Sequence, residues 1–278
     1  MSTFSAVLRD NGVSSFQQSF CRSFFALIYI LLIFYWKKID FSVNFKELRY
    51  YTLLGLIMGA LGFFENTAVA VGTPVAVVVL LLYTQPIWTT IFGRVFLKER
   101  VNTLKKTAVV IAFFGIFLIS KVWNVSSLNY LGVSLALICG ILLSVEFIMI
   151  QELSIKPRYF LVSIFWFYLF RSGFTVIFGF LSRTITDNSI ITSFTFSLPP
   201  KFWILILLFA FVPMFLGMIL FYKSVKNVSI VSIGVIMLIE PISGVIYGYF
   251  LLGEYVDILT ILGGALVLIA SVLVIIRR

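Results

Sequence analysis

The sequence predicts an all-α, polytopic transmembrane helix bundle of nine spans, built as two inverted five-helix repeats with the first helix of the first copy missing. Three observations carry this. The 278 residues are 61% hydrophobic and 12% charged, with a mean hydropathy of +1.12, and a soluble protein carries about twice that charge. Apolar windows of about 20 residues, enough to cross a bilayer core as a helix, recur along the chain and are continuously apolar, which favours helices over the alternating strands of a barrel. Finally, Gln85-Pro86 followed by Glu99 reappears as Glu240-Pro241 followed by Glu254, displaced by 155 residues at all three positions.

In chain order the predicted spans are 14–36, 50–71, 74–97, 103–120, 128–150, 160–181, 202–222, 228–251 and 257–276. Ahead of the first span the chain has no short apolar core, so no cleavable signal peptide is expected. The first span carries Arg22 and the sixth Arg171, each followed by Ser and, two residues further, by Phe; they lie 149 residues apart. Gly55 and Gly59 in the second span, and Gly244 and Gly248 in the eighth, have the spacing that lets helices approach closely. The third and eighth spans hold the two prolines. The longest connector, 182–201, is a polar loop rich in Ser and Thr, so no soluble domain is expected. Cys21 and Cys139 both fall within spans, where they read as small packing residues and not as a disulfide.

The net charge of +10 sits in short connectors and at the C-terminus. That is the pattern of the positive-inside rule, and no nucleic-acid partner is expected. Connectors on one side hold fourteen Lys and Arg residues, among them Lys37, Lys38, Lys105, Lys223 and Arg278; the other side holds Arg9, Lys121, Arg183 and Lys201. This asymmetry predicts a multi-pass protein of the cell membrane with its C-terminus cytoplasmic, an orientation reinforced by anionic lipid headgroups. The repeat divides the chain into 1–124, with four spans, and 125–278, with five. An odd number of helices per repeat inverts the second copy, and matched broken helices in inverted copies are the plan of a secondary transporter.

The chain resembles the drug/metabolite transporter superfamily, most closely its EamA-like permeases. The residues that carry the likeness are Thr67-Ala68 leading through Tyr83, Pro86 and Leu97 to Glu99, then Ile239-Glu240-Pro241 leading through Leu251, Leu252 and Gly253 to Glu254, with Arg22 early in the first span. The resemblance spans nearly the whole chain and implies a ten-helix plan. The absent first helix leaves a misplaced start, a truncation and a nine-helix form all open. It also implies transport of a small organic metabolite such as an amino acid or a nucleobase, without choosing among them.

A proline inside a helix removes one hydrogen bond and clashes with the preceding turn. Pro86 is therefore expected to free the carbonyl of Leu82, and Pro241 that of Met237; in a bilayer such groups are tolerated only against protein or a wet cavity. Gln85 and Glu240 stand at equivalent positions beside the breaks and are expected to face one central cavity, the alternative being two kinks that improve packing. Glu240 is the first choice for contact with substrate or protons, since a carboxylate is the natural proton carrier in a chain without histidine. Trp88 adjoins the first break, and Tyr83, three residues before Pro86, can share its face. A charge at mid-bilayer costs about 2.5–3.5 kcal/mol, so Arg22, Glu65, Glu146, Arg171 and Glu240 should face the bundle interior.

Glu146 lies in the first helix of the second repeat. In the related small multidrug resistance transporters a first-helix glutamate binds cations and protons, and the resemblance extends that role to Glu146; snorkelling, or pairing with Lys156 or Arg158, is the alternative. Glu65 and Asn66 either line an outer vestibule or serve Arg22 as a structural partner. Arg22 and Arg171 could bind a carboxylate or phosphate through their planar forks, but pairing with a glutamate on another helix is the preferred reading. The run Phe165-Trp166-Phe167-Tyr168 ahead of Arg171 could form an aromatic wall with a cation–π contact, but lipid-facing packing is the preferred reading.

No Walker-type loop is present, so ATP-driven transport by this chain alone is unsupported. An intramembrane enzyme would need a His-activated nucleophile, paired aspartates or a metal site. The chain has no histidine, and Asp10, Asp40, Asp187 and Asp257 all fall in connectors or at their edge; no enzyme, cofactor or metal is expected. The expected partners are a small-molecule substrate, the lipid bilayer and protons, with a homodimer left open. A non-transporting membrane scaffold or partner subunit is the alternative class.

Overall fold

The computed structural model describes residues 8, 11–98, 101–124, 129–155, 160–185, 188–243, 246 and 257–276. Glu99, Glu254, Gly244, Gly248, Lys156, Arg158 and the 251–253 stretch of the second signature lie outside the described residues. The helices are α1 (Ser15–Lys37), α2 (Phe45–Ala70), α3 (Val75–Leu82), α4 (Gln85–Val95), α5 (Thr103–Ser120), α6 (Tyr130–Ile155), α7 (Phe160–Ile185), α8 (Ser189–Thr192), α9 (Pro200–Phe209), α10 (Gly217–Ser224), α11 (Ile230–Ile236) and α12 (Ile258–Ile276). Seven described helical stretches are long and apolar enough to cross a membrane, α3 and α4 together forming one of them. Two shorter apolar helices, Ile230–Ser243 and Ile258–Leu273, occupy the eighth and ninth predicted positions. The architecture is a polytopic helical bundle.

Local chemistry sets the ends. Ser14 caps α1 by accepting from the Gln17 amide at 3.1 Å. The Asn44 carboxamide accepts from Glu47 N while the Glu47 carboxylate accepts from Asn44 N, a reciprocal capping box that starts α2 five residues before the apolar window does. Asn102 and Ser229 cap α5 and α11 in the same way as Ser14. The seventh span departs from the sequence expectation. It is interrupted by a π-helical turn at Ala210–Leu216 that contains Pro213, a proline within a span expected to run unbroken. The wider turn accommodates a ring with no N–H to give, and the Tyr168 hydroxyl donates to the Met214 carbonyl at 2.7 Å.

The chain forms two compact units, each drawing on both halves of the sequence. One, the arginine unit, comprises Phe4–Ala70 and Met149–Lys226; the other, the break unit, comprises Val71–Ile148 and Asn227–Arg278. In the arginine unit α2 packs on α7 through glycines. A Cβ on Gly55 would lie 2.3 Å from Phe170 Cβ and 2.9 Å from the Phe170 carbonyl carbon, and one on Gly59 would lie 3.1 Å from Phe174 Cβ. The backbones can therefore meet only because those side chains are absent. Phe165, Phe167 and Tyr168 are buried and Trp166 donates its indole N–H to the Phe41 carbonyl at 2.8 Å. This corrects the lipid-facing reading of that run, because Phe165 packs on Phe34 of α1 and on Phe41, Tyr168 bonds Met214 in the π-helical turn, and the rings also meet one another.

In the break unit the tightest crossing joins α5 to α12. A Cβ on Gly115 would sit 2.7 Å from the Gly263 carbonyl oxygen, and one on Gly263 would sit 2.6 Å from that of Gly115. Lys121, which ends α5, pairs with Asp257 at the start of α12 at 3.0 Å. Lys105 Nζ donates to the Ser229 hydroxyl at 2.8 Å, tying α5 to the cap of α11.

Candidate functional site: two helix breaks and a buried arginine pair

At the first break α3 ends at Leu82, Tyr83 and Thr84 form a turn, and α4 starts at Gln85 with Pro86 in its first turn. The Tyr83 amide donates to Val79 O at 3.0 Å, Thr84 N to Leu81 O at 3.2 Å and Ile87 N to Thr84 O at 2.9 Å. The proline thus does not kink a continuous helix. It opens a new one, where its missing N–H would be unpaired in any case. The Thr84 hydroxyl donates to Leu81 O at 2.6 Å and accepts from the Trp88 indole at 3.2 Å.

Helix α6 supports this break with Gly140 and Ser144, one turn apart on one face. A Cβ on Gly140 would fall 2.7 Å from Leu81 O, 2.9 Å from Thr84 Oγ1 and 3.1 Å from Leu82 O. The Leu82 carbonyl, expected to be freed, is packed against that glycine. Ser144 Oγ donates to the Gln85 carbonyl at 2.9 Å. From the opposite chain segment α11 presents Gly234, where a Cβ would sit 2.6 Å from Thr89 Oγ1 and 2.9 Å from Gln85 Nε2. Gly234 thereby leaves room for the Gln85 carboxamide.

Gln85 is completely buried, and neither its amide nitrogen nor its side-chain oxygen makes a hydrogen bond within the chain. Leaving a buried polar group unsatisfied costs about 1–3 kcal/mol. Tyr83 is buried beside it in sequence, and Trp88 is half-buried with its ring 6.3 Å from that of Phe92. Glu146 is only 5% exposed, which removes the snorkelling alternative. It stands two residues from Ser144, on a different face of α6.

The second break has the same outline. Helix α11 ends at Ile236, a turn follows at Met237 and Leu238, and helix resumes at 239. Leu238 N donates to Val235 O at 3.1 Å and Glu240 N to Met237 O at 3.1 Å. The Met237 carbonyl expected to be freed by Pro241 is therefore occupied by the Glu240 amide. Pro241 is buried, whereas Glu240 is exposed.

The remaining predicted residues gather in the arginine unit. Arg22 and Arg171 are 1% and 5% exposed, Glu65 4% and Asn66 2%. Arg22 donates from Nε to Gln18 O and from Nη2 to Asn66 Oδ1, both at 3.1 Å. Asn66 in turn donates to the Ser19 hydroxyl at 2.6 Å, which donates to Gly62 O at 2.8 Å. Arg171 reaches the same turn of α2, since a Cβ on Gly62 would meet Arg171 Nη2 at 3.0 Å. Arg22 interacts electrostatically with both Glu65 and Arg171. Each guanidinium also lies over a ring, Arg22 over Phe209 at 5.6 Å and Arg171 over Phe167 at 5.8 Å. Gly140, Ser144, Thr89 and Gly234 were not singled out by sequence reasoning, although Gly140 and Ser144 have the same four-residue spacing of small residues as Gly55 and Gly59.

The fold is a membrane-crossing helical bundle interrupted at two breaks, and the comparisons with known proteins make it a membrane transporter by class. The chain belongs to the EamA-like transporter family, whose model matches residues 1–121 and 130–276, and so to the drug/metabolite transporter superfamily. It is 24% identical over 275 residues to an uncharacterized transporter of Archaeoglobus fulgidus, covering 99% of this chain and 91% of that protein. It is 28% identical over 212 residues to an uncharacterized transporter of Synechocystis sp., covering 72% of this chain and 58% of that one. A crystal structure at 13% identity superposes with a TM-score of 0.79 over 100% of this chain and 94% of the other, a likeness of fold.

Proposed function

We propose that this protein is a secondary active transporter of small organic metabolites, of the size of amino acids or nucleobases, whose polar contact with cargo is made at the first helix break. The observation that carries the reading is Gln85, fully buried with both ends of its carboxamide unbonded. A group that binds cargo must keep its donor and acceptor uncommitted, at a cost to stability. Tyr83 and Trp88 flank it as aromatic surface, and the turn at Tyr83–Thr84 provides a short non-helical link about which α3 and α4 can reorient in alternating access. Glu240, at the equivalent position of the second break, is exposed and is the carboxylate to which we assign proton coupling. The orientation that fits the charge asymmetry has the C-terminus in the cytoplasm.

The test is thermal unfolding of the purified protein in detergent across a metabolite panel, with Gln85→Leu alongside. A ligand specific to the folded state stabilises by about 2.7 kcal/mol at a hundred times its dissociation constant. One compound class should raise the wild-type melting temperature and leave Gln85→Leu unmoved, while the ligand-free variant stays at least as stable. A shift of equal size in both proteins would remove the first break as the site. For coupling, uptake of that compound into liposomes should respond to an imposed pH gradient in wild type and not in Glu240→Gln; uptake indifferent to the gradient in wild type sinks the assignment.

A further inference from the structure

Across its described residues, the arginine unit buries more positive than negative charge. Among its described residues the buried side chains that carry a full charge are Arg22, Arg171 and Glu65, two guanidinium groups to one carboxylate. Both guanidiniums address one face of α2, because Arg22 bonds Asn66 and Arg171 lies against Gly62, one helical turn earlier. The arginines occupy matching positions of the duplicated sequence, each in Arg-Ser-x-Phe, but the carboxylate is not duplicated: 149 residues beyond Glu65 stands Met214. Two further hydroxyls on the same helices, Thr67 Oγ1 on α2 and Ser172 Oγ on α7, are buried without a hydrogen-bond partner.

An excess charge held inside a membrane-embedded bundle is expensive, and a second anion would offset it. Guanidinium is the side chain best shaped to supply two parallel hydrogen bonds to a planar or tetrahedral oxyanion. We propose that Arg22 and Arg171 form an oxyanion subsite within the arginine unit, which takes a carboxylate or phosphate at a separate step of cargo passage from the contact at Gln85, so that the cargo is an anion or a zwitterion. The proposal rests on the transport reading above and adds the substrate class. Glu65 acts here as a fixed counter-charge that keeps the subsite at a single positive charge, enough to attract an oxyanion and weak enough to release it.

The experiment uses the full chain in detergent with acid and amide pairs as probes: short mono- and dicarboxylates, zwitterionic amino acids and their carboxamides, together with phosphate monoesters. A short-chain phosphatidylglycerol tests a lipid phosphate as the source. At least one acid should bind, and its amide should bind on the order of tenfold to a hundredfold more weakly, the loss expected for a charged hydrogen bond. Carboxylate against monoester or lipid response identifies which oxyanion is taken. Arg171→Gln should abolish the preference for acid over amide, and Arg171→Lys should restore it in part.

Stability without any probe gives a second, ligand-independent reading. If Arg171 is the excess cation, ligand-free Arg171→Gln melts at or above the wild-type temperature, and Glu65→Gln, which removes the buried carboxylate that interacts with Arg22, melts below it. If Arg171 is only a structural ion-pair partner, Arg171→Gln melts lower; that result, or acids and amides binding equally, overturns the proposal. A neutral compound that shifts wild type and Arg171→Gln alike but not Gln85→Leu would also overturn it while leaving the transport reading intact.

Discussion

The two breaks are built from one signature and hold their polar residues differently. In both, a helix stops, two residues turn, and a new helix begins with a proline in its first turn. Yet Gln85 is sealed inside the unit, against Gly234 and the α6 face of Gly140 and Ser144, while Glu240 is exposed. The difference follows from charge. A neutral carboxamide can be buried without partners for a modest cost, whereas a buried carboxylate without partners costs several times more. The backbone device is thus the same at both places while the side chains beside it differ, one a buried carboxamide and the other an exposed carboxylate.

Exchanging the two residue types should break this contrast most strongly. Gln85→Glu places a carboxylate where no hydrogen bond awaits it, and we expect a loss of about 3–5 kcal/mol, or failure to fold. Glu240→Gln should change stability by under about 0.5 kcal/mol; thermal melting of the pair, side by side, decides it. Next in size is Gly140→Ala, whose Cβ would meet two backbone carbonyl oxygens and Thr84 Oγ1 at 2.7–3.1 Å, with an expected cost of about 1–3 kcal/mol. Tryptophan fluorescence of Trp88, whose indole bonds Thr84, should shift with it; an unchanged spectrum would mean that the break is not held from α6.

The smallest effect lies beyond the second break. The Asp257 carboxyl is held at about 2, below its ordinary 3.8, first by the Thr260 hydroxyl and then by Lys121 and the Thr260 amide. A lowered carboxyl value adds stability that is complete above about pH 4 and disappears as the pH falls toward 2. Asp257→Asn should therefore melt slightly lower than wild type at neutral pH, with the gap closing between pH 4 and pH 2. A gap independent of pH would assign the loss to the helix cap alone.

Hydropathy made most of the fold legible, because a bilayer requires each crossing to be written as an uninterrupted apolar run. The described helices start and stop within a few residues of those runs, save α2, which its capping box extends into polar sequence, and the four-residue α8, which lies in the connector read as a loop. Pro213 was equally visible, but without a repeat partner it carried no signal, and the π-helical turn went unread. At the site, Gln85, Tyr83 and Trp88 could be chosen because they adjoin a proline in sequence. Gly140, Ser144 and Gly234 could not, since their role comes from helices 50 to 150 residues away. Arg22, Asn66 and Arg171 share the residue types of an ion cluster, but their meeting on one turn of α2 is a property of the packing.

The reciprocal contact of Gly115 and Gly263 sets a limit on motion. With each glycine's missing Cβ filled by the other helix's carbonyl oxygen, and with Val267 already against Gly115 and Ile119 against Gly263, a slide or rotation of α12 along α5 that put a Cβ-bearing residue in either place would meet backbone. Neither is a soft displacement. Amide hydrogens along this seam should be among the last in the chain to exchange with deuterated solvent. Held in this way, α5 and α12 form one rigid strut.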